Sequence, residues 1–188
     1  MNTVDAATRR RNRIALIAIA VIFFGSFGLA GVLRLSGWRP AGLKNHGELL
    51  QPPGDARRFA LATVDGTPYR WQPEARLWRI AVAAPARCGV PCARLATDLE
   101  KVRLLQSREA GRLHLLWIGD YPAAVPRSPA LRQLPADSAL RTALPRLDDA
   151  RGIPVYVIDP NGFVILRYAP GADPAGLRAD LAKLLKLR

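Results

Sequence analysis

The 188-residue sequence is poor in the side chains that bind metals. It contains two cysteines, two histidines and one methionine, and this methionine is the first residue. A site built from several soft or imidazole ligands is therefore severely restricted. The sequence also lacks the motifs of a nucleophile triad, a phosphate-binding loop, a zinc protease or a nucleic-acid-binding protein.

Long hydrophobic runs are equally scarce, because only residues 14–33 form an extended stretch without a charged side chain. A single run excludes a membrane protein with several spans. At ~1.5 Å per helical residue, this run is long enough to cross the ~30 Å core of a bilayer. The sequence therefore predicts one N-terminal transmembrane helix.

The charges that flank the run predict its orientation. Four arginines precede it and a weaker pair, Arg34 and Arg39, follows it. The excess of positive charge before the run predicts a cytoplasmic N-terminus and an exported C-terminal part. A cleaved signal peptide is the alternative, but its apolar core would be shorter, and Leu33-Arg34-Leu35 is a poor cleavage site. We expect an uncleaved anchor.

These features divide the chain into four predicted parts. They are a cytoplasmic tail (1–13), a transmembrane anchor (14–33), a tether (34–57) and a folded domain (58–188). The tether is rich in glycine and proline, which predicts an irregular conformation, and Trp38 is suited to the membrane interface.

The net charge of +13 comes from 28 basic and 15 acidic residues. Without a nucleic-acid-binding motif this charge does not predict a nucleic-acid partner. It suits an anionic lipid surface or an acidic protein surface, and equally an ordinary solvated surface.

The domain alternates strand and helix patterns. A hairpin is predicted around Asp65-Gly66, and Asn161-Gly162 joins the last two strands. The predicted strands are 59–64, 69–71, 77–83, 112–119, 154–159 and 163–168, and the helices are 91–107, 138–147 and 173–187. This order predicts an α/β fold whose central mixed sheet is flanked by helices.

The two cysteines, Cys88 and Cys92, lie where a predicted central strand gives way to a helix. A helix N-terminus stabilises a thiolate and lowers the pKa of the thiol. Pro91 begins the helix and leaves Cys88 in the preceding loop, which predicts Cys88 as the attacking thiolate and Cys92 as its resolving partner. Three alternatives remain open: a redox-active pair, a pair of thiolates that binds Cu(I), and an inert structural disulfide.

The unit strand–Cys88-Gly-Val-Pro-Cys92–helix, followed by the stretch 152–162, resembles the thioredoxin fold. The resemblance implies a cis bond between Ile153 and Pro154, with Pro154 facing the cysteines as a third site residue. The three residues between the cysteines, the anchor and the hairpin are similar to the Sco/SenC family. Those proteins are anchored thioredoxin-like factors that deliver copper to cytochrome c oxidase or reduce its copper site.

One ligand of that family is missing here. The Sco pattern has a copper-binding histidine nine residues before the proline of the Asp-Pro turn, and Arg151 stands at this position. An arginine stays protonated and cannot bind copper. We expect His114 to be a core residue and His46 to lie in the tether. Arg87 and Arg151 could instead flank the cysteines and stabilise a thiolate.

The sequence thus predicts a single-pass protein of a bacterial inner membrane with a thioredoxin-like periplasmic domain. The resemblance implies that Cys88, Cys92 and Pro154 form a thiol–disulfide site that assists assembly of the oxidase copper site. The implied partners are oxidase subunits or their copper chaperones. No cofactor is required, copper on Cys88 and Cys92 being the alternative. Whether the protein is an enzyme, a copper carrier or a scaffold stays open.

Overall fold

A computed structural model describes residues 6–36 and 45–187. The chain divides into two compact units, Met1–Lys44 and Asn45–Arg188. The predicted interfacial residue Trp38 and most of the first half of the predicted tether lie outside the described residues.

The first unit contains one long helix, α1 (Ala6–Leu35). Within it, Thr8–Leu35 is long and apolar enough to cross a membrane, and no residue of its most apolar stretch is buried. It is the one helix of this kind among residues 6–36 and 45–187. An N-terminal signal sequence can also meet these two criteria, so length and composition make α1 a candidate membrane span.

The second unit contains eight strands and two α-helices within its described part. In chain order they are β1 (Glu48–Asp55), β2 (Leu61–Ala62), β3 (Pro68–Tyr69), β4 (Trp78–Ala83), α2 (Val90–Leu104), β5 (Leu113–Ile118), β6 (Leu131–Leu134), β7 (Val155–Ile158), β8 (Phe163–Tyr168) and α3 (Pro174–Leu184).

Six of these strands form one mixed sheet in the order β1-β8-β7-β4-β5-β6. Strands β4, β5 and β6 are parallel, and β7, β8 and β1 add antiparallel pairs. The predicted hairpin is present as a separate β2–β3 pair. The mixed sheet flanked by helices confirms the predicted α/β fold class.

The central strand β4 explains how the sheet is covered on both faces. Its six residues are all buried. Successive side chains point to opposite faces, so Ile80 and Val82 join one core layer while Ala81 and Ala83 join the other. The first layer includes residues of α2 and α3, and the second packs under the β2–β3 hairpin. Packing of both layers against β4 fixes the end of this strand, where the loop that carries Cys88 begins.

Two strands were missed by the sequence analysis. The predicted irregular tether contains β1, an edge strand that pairs with β8 and shifts register between Leu49 and Gly54. Edge strands tolerate prolines, because one side of the strand needs no ladder hydrogen bond. The proline-rich stretch after Tyr121 likewise contains the opposite edge strand, β6. The compact unit that begins at Asn45 includes β1.

The predicted helices are shorter in the structure. The stretch 138–147 forms only a 3₁₀ helix, Ala139–Ala143, although Ser138 caps it as expected. The last helix has Asp173 as its N-cap, with the carboxylate accepting from the N–H of Ala175 at 2.8 Å.

Candidate functional site

Cys88 and Cys92 form a disulfide, with the two Cα atoms 5.5 Å apart. The bridge lies at the carboxyl end of β4, where the chain leaves the sheet and enters α2. Cys92 belongs to the first turn of α2, and Cys88 lies in the loop before it. The pairing brings together the two cysteines that the sequence singled out.

The two sulfurs differ in exposure. Cys92 is completely buried, whereas Cys88 is half-buried and packs against the edge of the same core. Exposed residues surround Cys88 in the loop, and the side chain of Val90 is 81% exposed. A partner protein can therefore reach Cys88 more easily than Cys92.

The start of α2 favours a negative charge beside the cysteines. Gly89 is the N-cap, and glycine has no side chain that could accept a hydrogen bond from the first turn. Pro91 has no N–H, so the remaining N–H groups of the first turn belong to Val90, Cys92 and Ala93, the last bonded to Gly89. The helix dipole and these N–H groups would stabilise a thiolate at this end.

A groove of about 440 Å³ lies along the first turns of α2. Pro91 and Leu95 of α2 form one wall, Ile153 forms the other, and the Ala169–Pro174 segment closes one side. The lining is mainly apolar, with Arg94 and Arg151 at its margin.

Arg151 does not serve only to stabilise a thiolate, because it forms an ion pair with Asp149. Its guanidinium donates two hydrogen bonds, each 3.0 Å long, to the carboxylate of Asp149, and its side chain remains 70% exposed. Asp149 also accepts a 2.7 Å bond from the buried Arg167 of β8. The hydrogen bonds from Arg151 and then from Arg167 hold the pKa of Asp149 well below its ordinary value. Asp149 thus offsets much of the charge that Arg151 was expected to present to the cysteines, and Arg87 is exposed.

Pro154 is buried and lines a second groove together with Ala83 and Pro85, which precede the cysteine loop. The prediction of a cis peptide bond between Ile153 and Pro154 is wrong. In the described part of the chain the cis peptide bond is Gln51–Pro52. Gly152 instead has φ +133°, so the turn into β7 uses a glycine conformation rather than a cis proline.

Copper is the metal that the resemblance implies, and the residues present do not fit a three-ligand copper site. No group of three or more His, Cys, Asp or Glu side chains that could hold a metal occurs within residues 6–36 and 45–187. Arg151 occupies the expected ligand position and is bonded to Asp149. The ring Nδ1 of His46 lies 3.2 Å from Asp180, and Nδ1 of His114 lies 3.0 Å from the hydroxyl of Tyr69.

The pKa of His114 tests whether its ring packs against Tyr69 as the structure shows. Burial, and then the positive charges of Arg132 and Arg79, lower its pKa from 6.5 to about 4. We expect NMR of the ring protons to show a midpoint near pH 4. Between pH 6.5 and 4 the unfolded chain binds a proton that the folded chain does not, so stability falls as the pH falls through this range. A His114→Gln variant should lose that part of the pH dependence, and a midpoint near 6.5 would contradict the half-buried, neutral ring.

Besides Arg167, two further buried charged groups were not predicted from the sequence. Arg79 of β4 is fully buried and donates to the hydroxyl of Tyr69 and to backbone carbonyls, including that of Leu77 at 2.7 Å. Asp180 of α3 is 2% exposed and accepts hydrogen bonds from several donors. Both interrupt an apolar pattern, and such a charged residue in a buried strand or helix face is the signal that could have identified them.

The fold is shared with solved structures of Sco proteins. BsSco, whose disulfide switch has been identified, has a TM-score of 0.54 and 14% identity, over 76% of this chain and 98% of BsSco. A SCO1/SenC family lipoprotein of Bacillus anthracis has a TM-score of 0.52 and 16% identity, over 73% and 99% of the two chains. Copper-bound yeast Sco1 has a TM-score of 0.54 and 19% identity, over 72% and 95%. At these identities the likeness shows the fold, and it confirms the thioredoxin-like, Sco-like architecture that the sequence predicted.

No relative among the curated proteins matches the sequence. The sequence model of one family does match, however, and it covers residues 78–188, from the first residue of β4 to the C-terminus. The match includes the disulfide, both grooves and α3, and it extends over more than half of the chain. The chain therefore belongs to the family described as transmembrane-like, thioredoxin-like, C-terminal domain.

Proposed function

We propose that this protein is a membrane-anchored thiol–disulfide protein of the bacterial periplasm that assists assembly of the copper site of cytochrome c oxidase. The observation that carries the proposal is the Cys88–Cys92 disulfide at the start of α2, with one sulfur half-buried and the other fully buried. The fold shared with BsSco, a member of a family of cytochrome c oxidase assembly proteins, supports this choice of client.

The proposed step transfers two electrons to the client. In the reduced protein, the Cys88 thiolate attacks one sulfur of a client disulfide, and the other client sulfur leaves with the electron pair and takes up a proton. The Cys92 thiolate then attacks Cys88, forms the Cys88–Cys92 bond and releases the second client thiolate. The client becomes a dithiol, which is the form that binds copper, and an external dithiol reductant restores the protein.

The position of the bridge supports a redox role over a purely structural one. The two cysteines are four positions apart, so the bridge closes a very small loop and constrains the unfolded chain little. It also joins a loop to the helix that directly follows it, and these elements are already adjacent in the chain. A bridge that served mainly to stabilise the fold would join distant segments.

The anchor and orientation belong to the same proposal. Within α1, the uncharged run 14–33 follows Arg9, Arg10, Arg11 and Arg13, which favours a cytoplasmic N-terminus. The second unit, with its disulfide, would then be in the periplasm, where disulfides persist.

A redox titration combined with an assembly assay tests the proposal. We expect the disulfide to equilibrate reversibly with glutathione or dithiothreitol buffers, and we expect cells carrying Cys88→Ser to lose most of their copper-loaded oxidase. Arg58→Gln, at an exposed position that lines neither groove, is the control and should assemble oxidase normally. Full oxidase activity in a Cys88→Ser/Cys92→Ser strain would instead favour a scaffold with a structural disulfide.

A further inference from the structure

One end of the second unit carries both exposed leucines and unpaired cations. The side chains of Leu104, Leu105 and Leu187 are 57%, 48% and 62% exposed. They account for three of the six large hydrophobic residues exposed within residues 45–187, the others being Leu49, Val64 and Val90. Such clustering distinguishes an interaction surface from singly scattered apolar residues.

Four basic side chains accompany these leucines. A groove of about 530 Å³ is lined by Arg76, Arg108, Lys186 and Leu187, and Lys101 lies one helical turn before Leu105. All four cations are exposed. We call the three leucines and four cations the leucine–cation face.

Acidic side chains offset little of this charge. Glu100 and Glu109 are each bonded to an arginine, Arg103 at 2.6 Å and Arg112 at 2.7 Å. Glu74 is also exposed, two residues before Arg76. The face therefore keeps an excess of positive charge.

The face is held in a fixed arrangement by contacts between α2 and α3. The side-chain amide of Gln106 donates to the carbonyl of Arg178 at 3.1 Å. The guanidinium of Arg112 donates to the carbonyl of Leu185 at 2.8 Å. These bonds join the segment that follows α2 to α3 and to the residue directly after it, and they hold the leucines and cations of these segments in place.

We propose that the leucine–cation face rests on the anionic surface of the membrane. Leucine side chains can enter the boundary between headgroups and acyl chains, while arginine and lysine stay among the anionic headgroups. The α1 candidate span would hold the domain close to such a surface. A purely polar acidic protein would complement the cations but not the leucines.

The proposal fixes the orientation of the disulfide. Cys92 lies in the first turn of α2, and Leu104 and Leu105 lie at its end. The 15 residues of α2 span about 22 Å. With the leucine–cation face on the bilayer, the disulfide would face away from the membrane, toward a client domain that projects from it.

Vesicle binding of residues 45–188 tests the contact, because both core layers lie entirely within this unit. We expect the unit to bind phosphatidylcholine vesicles that contain phosphatidylglycerol, and to bind pure phosphatidylcholine only weakly. Each basic residue near the surface contributes about a fivefold change in partitioning, so Arg108→Gln/Lys186→Gln should reduce binding roughly 25-fold. Leu105→Ser/Leu187→Ser should also weaken it.

The matched control is Arg87→Gln/Arg94→Gln, which removes the same charge at the disulfide end of α2. It should change binding by less than about twofold, because those side chains would lie well beyond the ~8 Å screening length from the bilayer. Equal losses in both double variants would overturn the proposal in favour of a general charge effect. Failure to bind the anionic vesicles would also overturn it and leave an acidic protein as the partner.

The full chain in lipid nanodiscs gives a second test. In a Cys88→Ser/Cys92→Ser background, a fluorophore is attached through Leu105→Cys or, as the control, through Val90→Cys. We expect lipid-borne quenchers to quench the label at position 105 and not the label at position 90. The opposite pattern, or equal quenching, would overturn the proposed orientation. Because neither test depends on oxidase assembly, failure here leaves the thiol–disulfide function unaffected.

Discussion

Replacing Cys92 with serine is expected to trap the client as a mixed disulfide. After the Cys88 thiolate attacks a client disulfide, release of the client requires a second thiolate inside the protein. Cys92, fully buried in the first turn of α2 and bonded to Cys88 in the oxidised state, is the residue that supplies it. Without Cys92 the covalent intermediate should accumulate from undetectable levels to a major species in nonreducing gels of acid-quenched membranes.

The reciprocal substitution is the control for this trap. Cys88→Ser keeps one thiol, but that thiol is buried, so we expect little or no mixed disulfide. The accumulated species should disappear on reduction, and its second component can be identified by mass spectrometry. Equal trapping by both variants would show that exposure does not decide which sulfur attacks. Absence of any adduct with Cys92→Ser, in cells that assemble oxidase, would contradict the exchange mechanism.

The sequence predicted the centre of the domain well because its patterns are strong there. Each residue of β4 is buried, so the strand is apolar apart from Arg79, and Asp65-Gly66 and Asn161-Gly162 mark turns that the structure contains. The cysteine pair was equally visible, because Pro91 marks the start of α2 directly beside it.

The edges of the sheet could not be predicted in the same way. Strand β1 contains Pro52 and Pro53, which argue against a strand unless one side of it is free of ladder bonds. That condition depends on pairing with β8, more than a hundred residues away in the chain. The partner of Arg151 could not be predicted from the sequence either. Arg151 and Arg167 both donate to Asp149, and these bonds depend on how the loop folds over β8.

Removing the carboxylate of Asp180 is expected to destabilise the domain strongly. Its Oδ2 accepts from the N–H groups of His46 and Gly47, at 2.6 and 3.0 Å, and from the hydroxyl of Tyr168 at 2.9 Å. Its Oδ1 lies 3.2 Å from Lys183. In Asp180→Ala these donors lose their common partner in the interior, which should cost about 3 kcal/mol of unfolding free energy.

Asp173→Ala is the matched control, because Asp173 is an exposed carboxylate on the same helix. It caps α3, so its loss should cost about 1 kcal/mol. Urea unfolding measures both values. Hydrogen exchange should also show early loss of protection at Gly47 and along β1 in Asp180→Ala, because the carboxylate holds the segment before β1 against α3. Equal costs for the two variants would contradict a special role of Asp180.

The charge of Asp180 also predicts how the domain responds to acid. Burial raises the pKa of Asp180, but the hydrogen bonds from Gly47, Tyr168 and His46 outweigh burial and lower it below its ordinary value of 3.8. The folded protein then holds its proton more weakly than the unfolded chain does. The contribution of the Asp180 carboxylate to stability is complete above pH 3.8 and is lost as the pH falls through the lowered pKa. Asp180→Asn preserves the shape without the charge, so its unfolding free energy should fall less steeply in acid than that of the unmodified protein. Parallel acid curves for the two proteins would mean that other carboxylates govern acid unfolding.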